Sequence, residues 1–157
     1  MADQKPPRLE GDERQTLQAL LQYQRESIAR KVTGVSEADA RRPLVDSGTT
    51  LLWLTKHLAQ AESLWILRRF AGLPVEIPSD AVGSGDTVDA ALHTYRATWT
   101  RVDDVVAGAS LDDLCRDLGD EAPVNLRWVL AHLLEETARH AGHADILREL
   151  IDGHTGR

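Results

Sequence analysis

The strongest constraint on the fold is a helical period in the apolar residues, which recur at three- and four-residue steps in four separate segments. The most regular series alternates steps of four and three and consists of Val88, Leu92, Tyr95, Trp99, Val102 and Val106. Such spacing places its members on one face of an α-helix. Because no segment shows the period-two alternation of a strand or an internal repeat, the sequence predicts an all-α fold.

Capping residues and glycine stops set the expected ends of these helices. The first helix begins at about Gly11 and ends before Gly34, and a short helical turn follows Ser36. The second helix is expected to begin after Thr49 or Thr50 and to end at Ala71, before Gly72. The third is expected to begin after Asp86 or Thr87, and the fourth to run from about Asn125 to Gly153. We therefore predict an antiparallel four-helix bundle with long crossover connections.

Two long connections separate the later helices. Residues 74–86 are rich in Pro, Gly and Ser and show no period, so we expect them to form a lid or a pocket wall. Residues 110–123 are polar, and we expect a brief helical turn within them.

With 157 residues, the chain has the length of one domain. We predict a flexible N-terminal arm over residues 1–10 and the bundle domain over residues 11–157.

Charge and cysteine usage exclude several classes of partner. The chain carries 25 acidic and 18 basic residues, and the basic ones are scattered rather than clustered, which argues against nucleic acid. No apolar run approaches the roughly 20 residues that span a bilayer, and residues 1–14 contain no apolar signal segment. The single cysteine, Cys115, fits a reducing compartment. We expect a cytoplasmic protein that binds neither nucleic acid nor membrane.

The fourth helix carries an unusual set of polar groups on its apolar face. At about 100° per residue, Glu136 lies about 40° and His140 about 80° from His132, among the apolar side chains of the same face. Glu136 and His140 are four residues apart, so their side chains project together. A buried ionised carboxylate costs several kcal/mol unless a positive group pairs with it.

Two kinds of partner for Glu136 remain open: an inward-facing Arg or Lys, or a metal ion that Glu136 shares with His140 and a third donor. The pattern offers His57 as that donor, since it lies within the apolar stripe of the second helix. Two imidazoles and one carboxylate suit a catalytic zinc site with an open position, and also iron(II) or nickel. The alternative is that all three are hydrogen-bonded core residues without a metal.

Several further residues are candidates for the pocket around these three. His132 and His143 lie at the edge of the polar face, where we expect contact with solvent, a place on the pocket rim, or support of the ligands. Trp53 or Trp65 could line a pocket near His57. Arg68 could face the mouth of the cavity and meet an anionic substrate, or remain a solvated charge.

The segments TLLWLTKHLAQAESLWILRRFAG and LRWVLAHLLEETARHAGHADILRELIDG resemble the two signature stretches of the DinB-like superfamily, in the branch related to mycothiol-dependent enzymes. The resemblance implies a four-helix bundle, frequently dimeric, with a divalent metal held by one His of the second helix and a His/Glu-x-x-x-His pair of the last. In this sequence these positions are His57, Glu136 and His140. A carboxylate at position 136 is similar to the arrangement in mycothiol-dependent maleylpyruvate isomerase.

The resemblance further implies a thiol S-transferase or isomerase whose metal activates a low-molecular-weight thiol, mycothiol or a similar one, toward a small electrophile. The expected ion is Zn²⁺, with Ni²⁺ and Fe²⁺ as alternatives, and a homodimer is the expected assembly. Two other functions stay open. One is a non-catalytic bundle that binds a ligand or partner, and the other is a metal-assisted hydrolase.

Overall fold

A computed structural model describes residues 4–156 of the chain. Within these residues the regular elements are α1 (Glu13–Val32), α2 (Glu37–Ala40), α3 (Leu51–Glu62), a π-helical segment (Ser63–Phe70), α4 (Val88–Ala107) and α5 (Leu126–Asp152). The only strand-like pairing in this part of the chain is an isolated bridge between Leu114 and Asn125. The predicted all-α fold is confirmed, whereas the antiparallel order of the four long helices stays a prediction.

Each α-helix begins where a polar side chain can accept a hydrogen bond from a backbone N–H of the first turn. The capping residues are Asp12, Ser36, Thr50, Thr87 and Asn125. At the other ends, Gly72 and Gly153 adopt φ values of +65° and +74°, which residues with a side chain rarely adopt. These local interactions explain why the helix bounds could be predicted closely.

The second predicted helix is not a single α-helix. After Glu62 it continues without a break into the π-helical segment Ser63–Phe70. A π-helix has wider turns, with i→i+5 hydrogen bonds, so side chains beyond Glu62 lie at other angles than an α-helix would give them. Side-chain directions calculated from His57 at about 100° per residue therefore apply within α3 but not within the π-helical segment.

The long helices pack around two apolar clusters. Helix α1 contacts α5, and α3 contacts both α4 and α5. One cluster joins α1, α3, the start of α4 and the end of α5, and includes Ile28, Leu54 and Leu92. The other joins the π-helical segment, the end of α4 and the start of α5, and includes Ile66 and Leu130. All six apolar residues of the α4 series are buried, as their spacing predicted.

A buried ion pair links α1 to the end of α3. The Arg25 guanidinium donates to Glu62 through Nε at 3.0 Å and Nη2 at 2.6 Å, and Nη1 donates to Asp103 at 2.9 Å. Arg25 and Glu62 are almost completely buried, whereas Asp103 is half exposed. Burial raises the pKa of Glu62, and the charge of Arg25 opposes that rise. The pair connects α1 to the point where α3 becomes π-helical.

The connection of residues 74–86 is fixed to the helices by basic side chains. Lys56 of α3 donates to the Ala81 carbonyl and, at 2.6 Å, to Asp86. Arg41 donates to the carbonyls of Gly83 and Asp86. This segment, here called the α3–α4 strap, therefore follows a defined path beside α3.

The remaining connections differ in part from expectation. Within residues 110–123 the structure has no helix but a hydrogen-bonded turn, in which the Asp113 N–H donates to the Ser110 carbonyl at 3.1 Å, before the bridge between Leu114 and Asn125. Residues 4–10 of the predicted arm have no regular secondary structure, and the Tyr23 hydroxyl donates to the Gln4 carbonyl at 2.7 Å. The rest of the arm, residues 1–3, lies outside the described residues, and so does residue 157. Among residues 4–156, no helix has the length and apolar character that crossing a bilayer requires.

Candidate metal centre

The three predicted ligands meet in the groove between α3 and α5. One donor atom from each of His57, Glu136 and His140 lies within 4.8 Å of the others. Glu136 Oε1 is 3.1 Å from His57 Nε2 and 3.1 Å from His140 Nε2. Both Nε2 atoms thus approach the same carboxylate oxygen.

Regular helix geometry explains this convergence. Glu136 and His140 are i and i+4 on α5, so their side chains lie one above the other on the same face. His57 lies in the middle of α3, which packs against α5. Two helices therefore position all three side chains, and rigid elements hold a site more closely than loops do.

The centre is half-buried rather than enclosed. The side chains of His57, Glu136 and His140 are 22%, 24% and 11% exposed. His57 was predicted to lie within the apolar stripe of its helix, and its exposure places it at the edge of that stripe. Its neighbours along the stripe, Leu54 and Leu58, are the buried ones. A solute can reach the donor atoms from this side.

Each imidazole has a second polar neighbour. His57 Nδ1 lies 3.2 Å from Asp80 Oδ2, and His140 Nδ1 lies 3.2 Å from His143 Nδ1. Trp53 stacks on His57 with ring centroids 4.6 Å apart and an interplanar angle of 15°. Sequence reasoning missed Asp80, and its only indication was that residues 74–86 were expected to form a pocket wall.

The hydrogen-bonding capacity of His57 tests whether the residues fit a metal ion. A neutral imidazole has one N–H and one lone pair. His57 faces a carboxylate oxygen at both nitrogens, so in the neutral form it can donate to only one of Asp80 and Glu136. A cation bound by Nε2 and Glu136 would satisfy the second nitrogen while Nδ1–H donates to Asp80. Carboxylates support metal-bound histidines in this way in many proteins.

The spacing of the donor atoms also suits a tetrahedral ion. Ligand atoms at about 2.0–2.1 Å from Zn²⁺ lie about 3.3 Å from one another. The two separations of 3.1 Å at Glu136 Oε1 are close to that value, and the donor nitrogens of the two histidines lie within 4.8 Å of each other. Three protein ligands also leave the fourth position of such a site open. His57, Glu136 and His140 therefore fit a divalent ion with one free position.

The protonation of the centre favours metal binding. Burial raises the pKa of Glu136, but the hydrogen bond with His57 and the charge of His140 outweigh it and hold the pKa below its ordinary value. Burial lowers the pKa of His140, against the opposing effect of the Glu136 carboxylate. Glu136 is thus ionised and His140 neutral near pH 7, the forms in which these residues bind metals.

Of the other predicted pocket residues, Trp53 and His143 contact the centre, whereas Trp65, Arg68 and His132 have other contacts. Trp65 and His132 form a separate aromatic cluster with the exposed Trp128, at centroid distances of 4.9–5.3 Å. Arg68 is exposed and donates to the Val75 carbonyl at 2.6 Å. Of the two alternatives for Arg68, the exposed side chain agrees with a solvated charge. The role of Trp65 in a pocket near His57 stays a prediction.

Cys115 does not have the features of an activated thiol. It is only partly exposed and its backbone N–H donates to the Val124 carbonyl at 2.9 Å. Burial raises the pKa of the Cys115 thiol above its ordinary value, and the charge of Arg69 opposes the rise only in part. The thiol is therefore mostly protonated at neutral pH, which does not favour a nucleophilic role.

Comparisons with known proteins agree with the helical fold. A family model described as mycothiol-S-transferase matches residues 16–153. Among curated proteins no match is found. The crystal structure of a conserved protein from Enterococcus faecalis is similar, with a TM-score of 0.62 and 17% sequence identity, over 92% of this chain and 99% of that chain. At this identity the structural likeness shows a shared fold alone.

Proposed function

The chain belongs to the mycothiol-S-transferase family, and we propose that it joins mycothiol, or a similar low-molecular-weight thiol, through its sulfur to the carbon of a small electrophile. In this reaction a carbon–sulfur bond forms and the bond from carbon to its leaving group breaks. The leaving group takes the bonding electron pair, and the thiol proton passes to solvent. The observation that carries the proposal is the convergence of His57 Nε2, His140 Nε2 and Glu136 Oε1 in an accessible groove.

We propose that His57, Glu136 and His140 hold one divalent ion, Zn²⁺ first, with Ni²⁺ and Fe²⁺ as alternatives. When bound, such an ion lowers the pKa of a coordinated thiol and so supplies thiolate, the nucleophilic form, at neutral pH. Two neutral imidazoles and one carboxylate contribute a single negative charge, which leaves a dication with an excess positive charge. That excess favours an anionic sulfur in the open position.

The surrounding side chains keep the donor atoms in place. With an ion bound at His57 Nε2, Nδ1–H would donate to Asp80, whose carboxylate lies 3.2 Å away, and so fix the orientation of the ring. Trp53 stacks on the His57 ring and restricts its rotation. The partial exposure of Glu136 and His57 leaves a path for thiol and electrophile. We further propose that the protein acts in the cytoplasm, where low-molecular-weight thiols are kept reduced, and that it forms a homodimer.

The test is a transfer assay on protein loaded with zinc. Mycothiol, or bacillithiol in parallel, is incubated with benzyl chloride or chloroacetamide, and the thioether adduct and chloride are measured. We expect adduct formation well above the uncatalysed rate, and we expect His140→Ala to return it to that rate. Absence of enzyme-dependent adduct with both thiols would contradict the proposal. Zinc-dependent hydrolysis of an ester substrate in its place would support the metal-assisted hydrolase, and inactivity toward both would support a non-catalytic bundle.

A further inference from the structure

A small open cavity lies beside the candidate metal centre, between the loop before α3 and the second half of α5. It encloses about 190 Å³ and is lined by Val45, Ser47, Thr49, His143, Ile146 and Leu147. His143 belongs to both places, since its Nδ1 lies 3.2 Å from Nδ1 of the ligand candidate His140. His143 thus lines the cavity and also neighbours His140 on the Nδ1 side of its ring.

The spacing along both helices shows how the two places are related. Glu136, His140, His143 and Leu147 follow one another at steps of four, three and four on α5. On the other wall, Thr49, Trp53 and His57 are four residues apart, with Thr49 just before the first turn of α3. One helical turn advances about 5.4 Å, so the cavity begins about one to two turns from the donor atoms.

The walls of the cavity are mostly apolar. Val45, Ile146 and Leu147 supply hydrocarbon surface, and Val45 and Ile146 are among the exposed large apolar residues of the protein. The two hydroxyl groups, Ser47 Oγ and Thr49 Oγ1, hydrogen-bond to each other at 2.8 Å. No Asp, Glu, Lys or Arg lines the cavity among the described residues. Such a surface offers little to a thiol rich in hydroxyl groups and suits an apolar group.

The volume limits what the cavity can hold. An apolar protein cavity of about 150 Å³ accepts benzene, so about 190 Å³ has room for one aromatic ring or a short hydrocarbon chain. Whole-ligand pockets are larger, about 300 Å³ or more. The cavity is thus sized for one part of a substrate whose reacting atom lies elsewhere.

We propose that this cavity binds the apolar part of the electrophile, a single ring or a short alkyl chain, while the reacting carbon reaches toward the metal centre. This inference rests on the proposed transferase function of that centre. It assigns Val45, Ile146 and Leu147 to the selection of the second substrate. The enzyme then prefers electrophiles with an apolar group over polar ones of similar reactivity.

The test compares two exposed residues of α5. Ile146 lines the cavity and is 55% exposed, whereas Leu150 is 53% exposed, lies one turn further on and does not line it. Each is changed to Asp, and the KM for benzyl chloride, chloroacetamide and thiol is measured on zinc-loaded protein. We expect I146D to raise the KM for benzyl chloride, and to raise the KM for chloroacetamide about tenfold less. Tenfold is the lower end of the discrimination that one apolar contact provides. We expect L150D to behave as wild type.

A binding measurement keeps the two proposals separable. Toluene, which resembles benzyl chloride but cannot react, is titrated into zinc-loaded protein and followed by NMR. We expect shifts for residues 45–49 and 143–147, and their loss in I146D. Toluene binding there without any adduct would overturn the transferase function and with it the substrate role of the cavity. If adduct forms and the KM for benzyl chloride is the same in I146D and L150D, this inference alone is overturned. The same holds if I146D converts a dimer to a monomer and leaves the KM unchanged.

Discussion

His57 lies between two carboxylates, and this position determines what the centre can hold. With Asp80 at Nδ1 and Glu136 at Nε2, the imidazole needs a second positive contact, either a proton or a metal ion. Burial lowers the pKa of the neighbouring His140 and so favours its neutral form, the form that can bind a metal ion. A dication bound by both Nε2 atoms and Glu136 would satisfy these groups, and so would a protonated His57, which makes the metal content the deciding observation.

Asp80 can be tested as a positioning residue for His57. In D80N the amide no longer provides an anionic acceptor for Nδ1–H, so the imidazole loses orientation and basicity. We expect the affinity for zinc to fall about 10- to 100-fold, the range for loss of such a supporting partner. Competition with a chromophoric chelator measures this affinity directly.

Glu76→Gln is the matched control for this variant. Glu76 is an exposed carboxylate of the same α3–α4 strap, and its replacement removes the same charge away from His57. We expect its zinc affinity to equal that of wild type. Equal affinities in D80N and wild type would show that Asp80 does not orient the imidazole.

The residues of the centre differ in how far the sequence could predict them. Glu136 and His140 share one α-helix, whose geometry fixes their relation at i and i+4 regardless of tertiary structure. His57 could be chosen because its helix has a clear apolar stripe. Asp80 lies in the aperiodic strap, and its approach to His57 depends on anchors from Lys56 and Arg41 that no local pattern predicts.

At the scale of elements, the helix starts followed from capping residues, but the π-helical segment did not. Ser63–Phe70 contains ordinary helix-forming residues, and nothing in their spacing requires a wider turn. The transition coincides with Glu62, which the buried Arg25 holds from α1. Tertiary contacts of this kind can override a local preference for α-helix.

The Arg25–Glu62 pair gives a stability prediction. R25M removes one partner and leaves a buried carboxylate unpaired, so we expect the free energy of unfolding to fall by about 3–5 kcal/mol. The double variant R25M/E62L removes both charges, and we expect it to recover most of this loss. Urea denaturation of metal-free protein measures both. If R25M unfolds at the wild-type urea concentration, the pair does not hold the α1–α3 contact.

The α3–α4 strap gives a pH prediction. The hydrogen bonds from Lys56 and then from the Gly83 N–H lower the pKa of Asp86 below its ordinary value. Because the folded pKa is the lower one, the stabilisation is present above the unfolded value of about 3.9 and disappears as pH falls through the folded pKa. We expect wild type to be more stable than D86N at pH 7, with the difference shrinking below about pH 4. Urea denaturation across this range checks the sign, and a difference that grows on acidification would contradict it.

At the scale of the whole molecule, the face of α5 that meets α3 and the loop before it has a polar part and an apolar part. The polar part contains His57, Glu136 and His140, and the apolar part continues past His143 to Ile146. The predicted all-α fold and the family resemblance are both confirmed, the latter by the match over residues 16–153. Helical periodicity was enough to predict the fold class, because long amphipathic helices have few ways to bury their apolar faces.

The central claim is that one divalent ion binds to His57, Glu136 and His140. The most direct measurement is the metal content of untagged protein, purified without chelator, supplemented with zinc and freed of excess ion. We predict one ion per chain in wild type and in H93A, an exposed histidine of α4, and none in H57A or H140A, with the helical circular dichroism retained in all four. Wild-type protein that stays empty after supplementation, or H57A and H140A proteins that keep a full ion, would contradict the account.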